Sequence, residues 1–318
     1  MTPAKEPVPL LSRVAEHLYW GARYLERAVS SARVLRSFSD TIVDLPMSVE
    51  MNWEPLLAIA GSRSAFEAAH EDLDEASIME FLVAEEDNPG SVVSSVVEAR
   101  TNLRTVREVI PETMWRVIND LHLFVTSDRS DGVRRRSRSR FFDRVVADGE
   151  RVDGIRIATM LRDEAYEFMR LGQAVERADM TTRVLGVRAA DLMSNDGPLA
   201  SHEDVQWMGV LRSLAAYQAF QRATRAPISG HAVMMFVLHD QTFPRSVAAN
   251  LRRITGAVGS LPPAPEVVVE AARAEAQLAA IDLESLDGKS LDDAMDAVQI
   301  ALGSIHDRIG DAYFLARG

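Results

Sequence analysis

The sequence predicts an all-α protein: two duplicated helical-bundle halves, related by an internal pseudo-twofold and packed into one body. Three observations predict it. First, apolar residues recur at helical spacing. Leu18, Ala22, Leu25, Val29 and Ala32 follow the i, i+4, i+7, i+11, i+14 pattern of one helix face. Second, no convincing strand alternation competes with that pattern. Third, the chain repeats itself. Glu26-Arg27-Ala28 with Arg33-Val34-Leu35 returns as Glu176-Arg177-Ala178 with Arg183-Val184-Leu185, six identities in ten paired positions at an offset of 150. Trp53, Leu57, Ala65 and Phe66 return 154 residues on as Trp207, Leu211, Ala219 and Phe220. Met79, Phe81, Pro89, Ser91 and Val92 return 155 residues on as Met234, Phe236, Pro244, Ser246 and Val247. Blocks in one order with slowly growing offsets are what a duplication leaves, and this period is too long for a solenoid repeat.

The elements follow in order. The first helix carries a second, largely apolar line, Trp20, Tyr24, Arg27, Ser31 and Val34, which makes it central in its bundle. Its counterpart stripe is Phe168, Gly172, Val175, Asp179 and Thr182. Helices are predicted over 53–70 and 75–84, then from Pro89 to Ile110 with Asn88 as N-cap, since proline costs nothing in a first turn. Pro111 breaks that helix and begins another, to Phe124. The second half predicts helices over 155–193, 203–224, 231–239, 244–256, 265–282 and 289–315. The organisation expected is a first repeat over 10–126, an arginine-rich linker over 127–154, a second repeat over 155–260 and a C-terminal helical extension over 261–318. The linker holds Arg134, Arg135, Arg136, Arg138 and Arg140. It reads as a solvated connector, with an electropositive anion contact as the alternative.

Composition narrows the function classes. The 318 residues carry a formal charge of −12 and a pI near 5.1, which disfavours general nucleic-acid binding. There is no cysteine, so disulfides, thiolate metal sites and cysteine nucleophiles are excluded. The longest apolar run, Ala232 to Leu238, falls far short of the ~20 residues a membrane span needs. Three prolines and no apolar stretch in Met1–Pro9 argue against a secretory signal. A cytoplasmic protein without membrane contact is expected. Of the helical metal motifs, only Glu67-Ala68-Ala69-His70 has the Glu-x-x-His spacing, and its counterparts are Gln221 and Thr224, so no metal or cofactor is expected.

Glutamate, arginine and backbone N–H groups remain as equipment for a site. The candidates are Glu26, Arg27, Arg33, Glu176, Arg177 and Arg183 on the repeated helices. Arg245 and Ser246 join them at a second helix start, whose free N–H groups favour anions. One reading pairs Glu of each half with Arg of the other, because buried charges must be paired. The other is a polar pocket in which Arg27, Arg177, Arg33 and Arg183 hold a carboxylate or phosphate, with Glu26 or Glu176 as base. Trp53, Trp207, Phe66 and Phe220 read as core, and Ser91 and Ser246 as caps.

At the Glu-Arg pairs the chain resembles the alpha-E family, bacterial proteins with a shared Glu-Arg motif. The matching stretches are Ser12 to Trp20 leading into Arg23-Tyr24-Leu25-Glu26-Arg27-Ala28; Asn88-Pro89-Gly90-Ser91; Ala99-Arg100-Thr101-Asn102 with Val106-Arg107-Glu108; Glu112 with Trp115 and Asn119; Leu171-Gly172 with Glu176-Arg177-Ala178; and Phe243-Pro244-Arg245-Ser246-Val247. The resemblance covers roughly residues 10–316. Gln173 and Val175 depart from it, standing where Arg and Leu are expected, and the arginine cluster is not a hallmark of the family. The resemblance implies a helical partner, sometimes fused, of circularly permuted ATP-grasp ligases, in a cytosolic system that makes or trims peptide-like amide bonds. On it rests the leading expectation, a non-catalytic adaptor subunit of an ATP-grasp-type amide ligase. The alternatives are an enzyme of amide metabolism using the Glu-Arg sites, and a structural homo-oligomer scaffold. An anionic small molecule or peptide is a further candidate partner.

Overall fold

The computed structural model describes residues 10–44, 52–193, 203–283 and 288–314. Among them are fifteen α-helices and no strand. The first half holds α1 (Ser12–Asp44), α2 (Glu54–Ala60), α3 (Arg63–Ala69), α4 (Glu75–Val83), α5 (Val92–Thr105), α6 (Glu112–Ser127), α7 (Arg129–Val133) and α8 (Arg138–Thr159). The second holds α9 (Glu164–Met193), α10 (Glu203–Ser213), α11 (Tyr217–Thr224), α12 (Gly230–His239), α13 (Val247–Val258), α14 (Pro265–Ala279) and α15 (Gly288–Tyr313).

Two long helices form the axis of the molecule, α1 with 33 residues and α9 with 30. They pack along each other. α1 is further flanked by α5, α8 and α10, and α9 by α13, α15 and α2. Each half therefore lends one short helix to the long helix of the other. The predicted stripe Leu18, Ala22, Leu25, Val29 and Ala32 is buried throughout, as central placement requires. The two long helices touch backbone to backbone at Gly172. A Cβ there would stand inside 3.0 Å of the Tyr19 carbonyl, a separation side chains do not show. Trp53, Trp207, Phe66 and Phe220 are all core, and Ser91 and Ser246 cap α5 and α13 by accepting the N–H of Ser94 and Ala249, each at 3.1 Å.

Several boundaries differ from expectation for local reasons. The helix predicted over 53–70 breaks at Gly61, which takes φ +65°. The one over 203–224 breaks at Ala215, an alanine at φ 51°. Asn88 is not the cap of α5. Its side chain instead accepts from the Gly90 N–H and donates to the Phe81 carbonyl, folding the turn that delivers Ser91.

The stretch 127–154, expected as a linker, is largely helical. It forms α7 and most of α8, and α8 packs on α1 and α6 with Phe141 and Phe142 buried. Two of the five arginines of the cluster are committed within the protein, while Arg134, Arg136 and Arg140 are exposed. Arg135 and Arg138 converge on Glu75, and Arg138 also lies 5.3 Å from the Trp53 ring centre. Three acidic residues of the same half are also paired, Glu86 with Arg129, Glu67 with Arg63 and Glu85 with His70.

Candidate functional site

Glu26 and Glu176 lie where α1 and α9 run together, 4% and 0% exposed. Neighbouring helix residues point about 100° apart. Glu26 therefore faces α9 while Arg27 reaches Glu176 past it. An isolated buried carboxylate costs several kcal/mol, so each needs partners.

Each has two guanidinium groups. Glu176 receives Arg27 Nε on Oε1 at 2.5 Å, Arg27 Nη2 on Oε2 at 3.1 Å and Arg23 Nε on Oε2 at 2.8 Å. Glu26 receives Arg177 as a fork, Nε on Oε1 at 3.1 Å and Nη2 on Oε2 at 2.6 Å. Arg245 Nη1 adds a bond to Oε1 at 2.9 Å. Ser30 Oγ and Gln173 Nε2 donate to the same carboxylate, each at 3.2 Å. Gln173 stands 150 residues after Arg23, the same offset that separates the two Glu-Arg pairs, and brings no charge. Arg245, from the loop before α13, supplies that charge instead. This resolves the departure at Gln173.

Burial alone would raise both carboxyls. The facing arginines outweigh it and hold Glu26 and Glu176 well below the usual carboxylate range. Both are ionised, and their oxygens are occupied. Neither has the proton affinity of a general base. Arg245 moves the other way. Burial, with repulsion from Arg177 and Arg33 and against attraction by Glu26, brings its guanidinium to about 10.

The two pairs differ in surroundings. On the Glu26 side a cavity of about 390 Å³ opens between α1, α8 and α9. Four of the sequence candidates line it: Glu26, Arg33, Arg177 and Arg245. Four residues not singled out as site residues line it too: Glu150, Asp153, Arg156 and Gln173. The other four candidates lie elsewhere. Arg27 and Glu176 form the opposite pair. Arg183 is bonded to Asp179 at 2.8 Å and packs over Gly61. Ser246 is fully buried in its cap, its hydroxyl also donating to the Asp240 carbonyl. The pocket expected from Arg27, Arg177, Arg33 and Arg183 together is therefore split across two faces. Arg23 and the α8 residues were the omissions. Arg23 had a signal, lying one turn before the Glu-Arg pair.

On the Glu176 side aromatic rings fill the space. His306 of α15 stacks on Tyr19 with centroids 5.6 Å apart, and Trp20 meets it edge-on at 5.0 Å. Tyr19 Oη and His306 Nδ1 are 2.9 Å apart. Burial and the nearby Arg23 push His306 down to about 4, partly opposed by Asp307. The fold thus favours the neutral ring. Its contribution to stability is present above the unfolded value near 6.5 and is lost as pH falls toward about 4. Unfolding by urea at about pH 7 and about pH 5 should show a drop in midpoint that His306→Gln reduces. An identical drop in the variant assigns it to other groups.

Among the described residues no group of three or more His, Asp or Glu could hold a metal ion, and no helix is long and apolar enough to cross a membrane.

The chain is similar to uncharacterised proteins of Mycobacterium bovis and of two strains of Mycobacterium tuberculosis. Each is 25% identical over 272 residues, covering 79% of this chain and 30% of the relative. The chain thus spans under a third of the length of these relatives. No solved structure matches it. Residues 10–314 match the family described as "Alpha-E: A predicted alpha-helical domain with a conserved ER motif". Two Glu-Arg pairs of this chain are the residues cross-paired between α1 and α9, and the chain belongs to the Alpha-E family.

Proposed function

We propose that this chain is a non-catalytic helical adaptor of an ATP-grasp-type amide ligase in the cytoplasm, and that its Glu-Arg pairs brace two duplicated halves. The observation that carries the non-catalytic reading is the state of the two glutamates: buried, ionised and each bonded to two arginines. An enzyme using them as bases needs a carboxylate with proton affinity to spare, and these have none. The ligase partnership rests on the resemblance to the family. The mycobacterial relatives support it further, because they carry this unit in a much longer chain, as a fused partner would.

The duplication is supported by the element order, α1 to α6 and α8 answering α9 to α15. It is supported again by the exchange of α2 and α10 across the central pair. On this reading the 261–318 stretch completes the second repeat instead of extending it. Gly303, Asp307 and Ile309 of α15 stand 154 residues after Gly149, Asp153 and Ile155 of α8. The repeats then run over 10–159 and 164–314.

The adaptor reading is tested by pull-down at physiological salt from the native host, followed by a rate assay. The tagged chain should recover an ATP-grasp ligase and change its amide-forming rate. Recovery of no ligase, or recovery with no effect on rate, overturns the reading.

A further inference from the structure

The two Glu-Arg sites answer each other residue by residue, yet only one carries the marks of a ligand site. Around Glu176, Asp179 adds a second carboxylate and pairs with Arg183. The position matching Asp179 on α1 is Val29, so the Glu26 side lacks that charge. It gains cations instead. Arg245 stands where the first half has Gly90, and Arg156 where α15 has Gly310. The cavity lining carries Arg33, Arg156, Arg177 and Arg245 against Glu26, Glu150 and Asp153, an excess of one positive charge.

Two of the lining arginines each carry a buried donor without an acceptor. Arg156 is 5% exposed and bonded through Nε and Nη2 to Asp153, but its Nη1 has no acceptor. Arg33 is bonded through Nη2 to Glu150 at 2.7 Å, but its buried Nε has none. Buried donors without partners are rare and costly, of order 1–3 kcal/mol each. Structural bracing does not require them, because the Glu176 side braces α1 and α9 without them. The rest of the wall is apolar, including Leu25, Val29, Met169 and Phe243. The volume of about 390 Å³ falls in the range that holds small ligands.

We propose that this cavity binds a small monocarboxylate bearing an apolar group, with Arg33, Arg156 and Arg245 facing the carboxylate. One excess positive charge matches one carboxylate, whereas a phosphate dianion would leave the pocket net negative. A free apolar amino acid and the C-terminal residue of a peptide share this chemistry. The site is a property of the isolated chain, so it stands or falls independently of the ligase partnership.

Isothermal titration calorimetry on the full chain tests it with isovalerate, leucine, N-acetyl-leucine, N-acetyl-leucinamide and inorganic phosphate. The carboxylates should bind at millimolar concentration or below, and the amide should not. Tighter binding of leucine identifies the free amino acid as the source, and tighter binding of N-acetyl-leucine the peptide terminus. Arg156→Gln and the rim variant Arg33→Gln should each weaken binding at least tenfold, while Arg183→Gln, outside the cavity, should leave it unchanged. The proposal is overturned by amide binding equal to acid, by phosphate binding tighter than any carboxylate, by no carboxylate binding at all, or by full affinity in Arg33→Gln.

Discussion

Glu176→Ala should lower the unfolding free energy by about 3–5 kcal/mol, read from urea denaturation at neutral pH. The loss comes less from the bonds themselves than from what is left behind. Arg23 and Arg27 have side chains only 10% and 28% exposed and would keep their charges without a counter-ion. Asp179 is near enough to lend both some attraction, so the cost should fall inside that range and not beyond it. Glu26→Ala should cost a similar amount, since Arg177 and Arg245 are as deeply held. The pH dependence carries the same signature. Both carboxyls are depressed in the fold, so their contribution is present above their unfolded value near 4.5. It erodes as pH falls below that value. Glu176→Gln should flatten this acid limb. A wild-type stability that does not change on acidification, or a Glu176→Ala variant as stable as wild type, removes the bracing role.

Gly172→Ala should destabilise by about 3 kcal/mol, against the sign that helix propensity gives. In a helix interior alanine is favoured over glycine by about 1 kcal/mol, so an exposed glycine would yield a more stable protein on this exchange. Here the new methyl meets the backbone carbonyl of Tyr19, and a carbonyl on a central helix has no rotamer into which to retreat. α1 and α9 must separate, and with them every guanidinium–carboxylate bond that spans the gap. Thermal and urea unfolding of the single variant decide it. A gain in stability would mean the helices do not cross at that contact.

Much of this was legible before the structure. The stripe from Leu18 to Ala32 and the paired Trp and Phe positions are patterns of residue type at fixed spacing, and spacing survives in sequence. The reciprocal Glu-Arg pairing was legible as one of two readings, because a buried charge demands an opposite one. The break at Ala215 was not, since alanine in the left-handed region has no compositional sign. Nor was α8. Its arginine-rich start looks solvated, and only the three-dimensional position of Glu75 and Trp53 shows what Arg138 packs against. The cavity was missed with it, because Asp153 and Arg156 came from the same helix. Arg245 taking over the charge absent at Gln173 spans 72 positions (245 minus 173) and follows no periodicity. Its trace in the sequence is the contrast with Gly90.

The exchange of partners across the central helices has a consequence for what counts as a subunit. Neither half satisfies its own glutamate. α1 carries an acid that α9 and the loop before α13 neutralise, and α9 carries one that α1 neutralises. The covalent link between the halves is the short connection from Met160 to Asp163, which leaves Leu161 75% exposed. The chain behaves in this respect as an obligate heterodimer that happens to be joined. The two sides of the central helix pair differ, one closed by aromatic packing and the other opening on a cationic hollow. The exposed residues of the connection, Leu161 to Asp163, are also where nature or an engineer can cut, permute or insert without touching what holds the pair together.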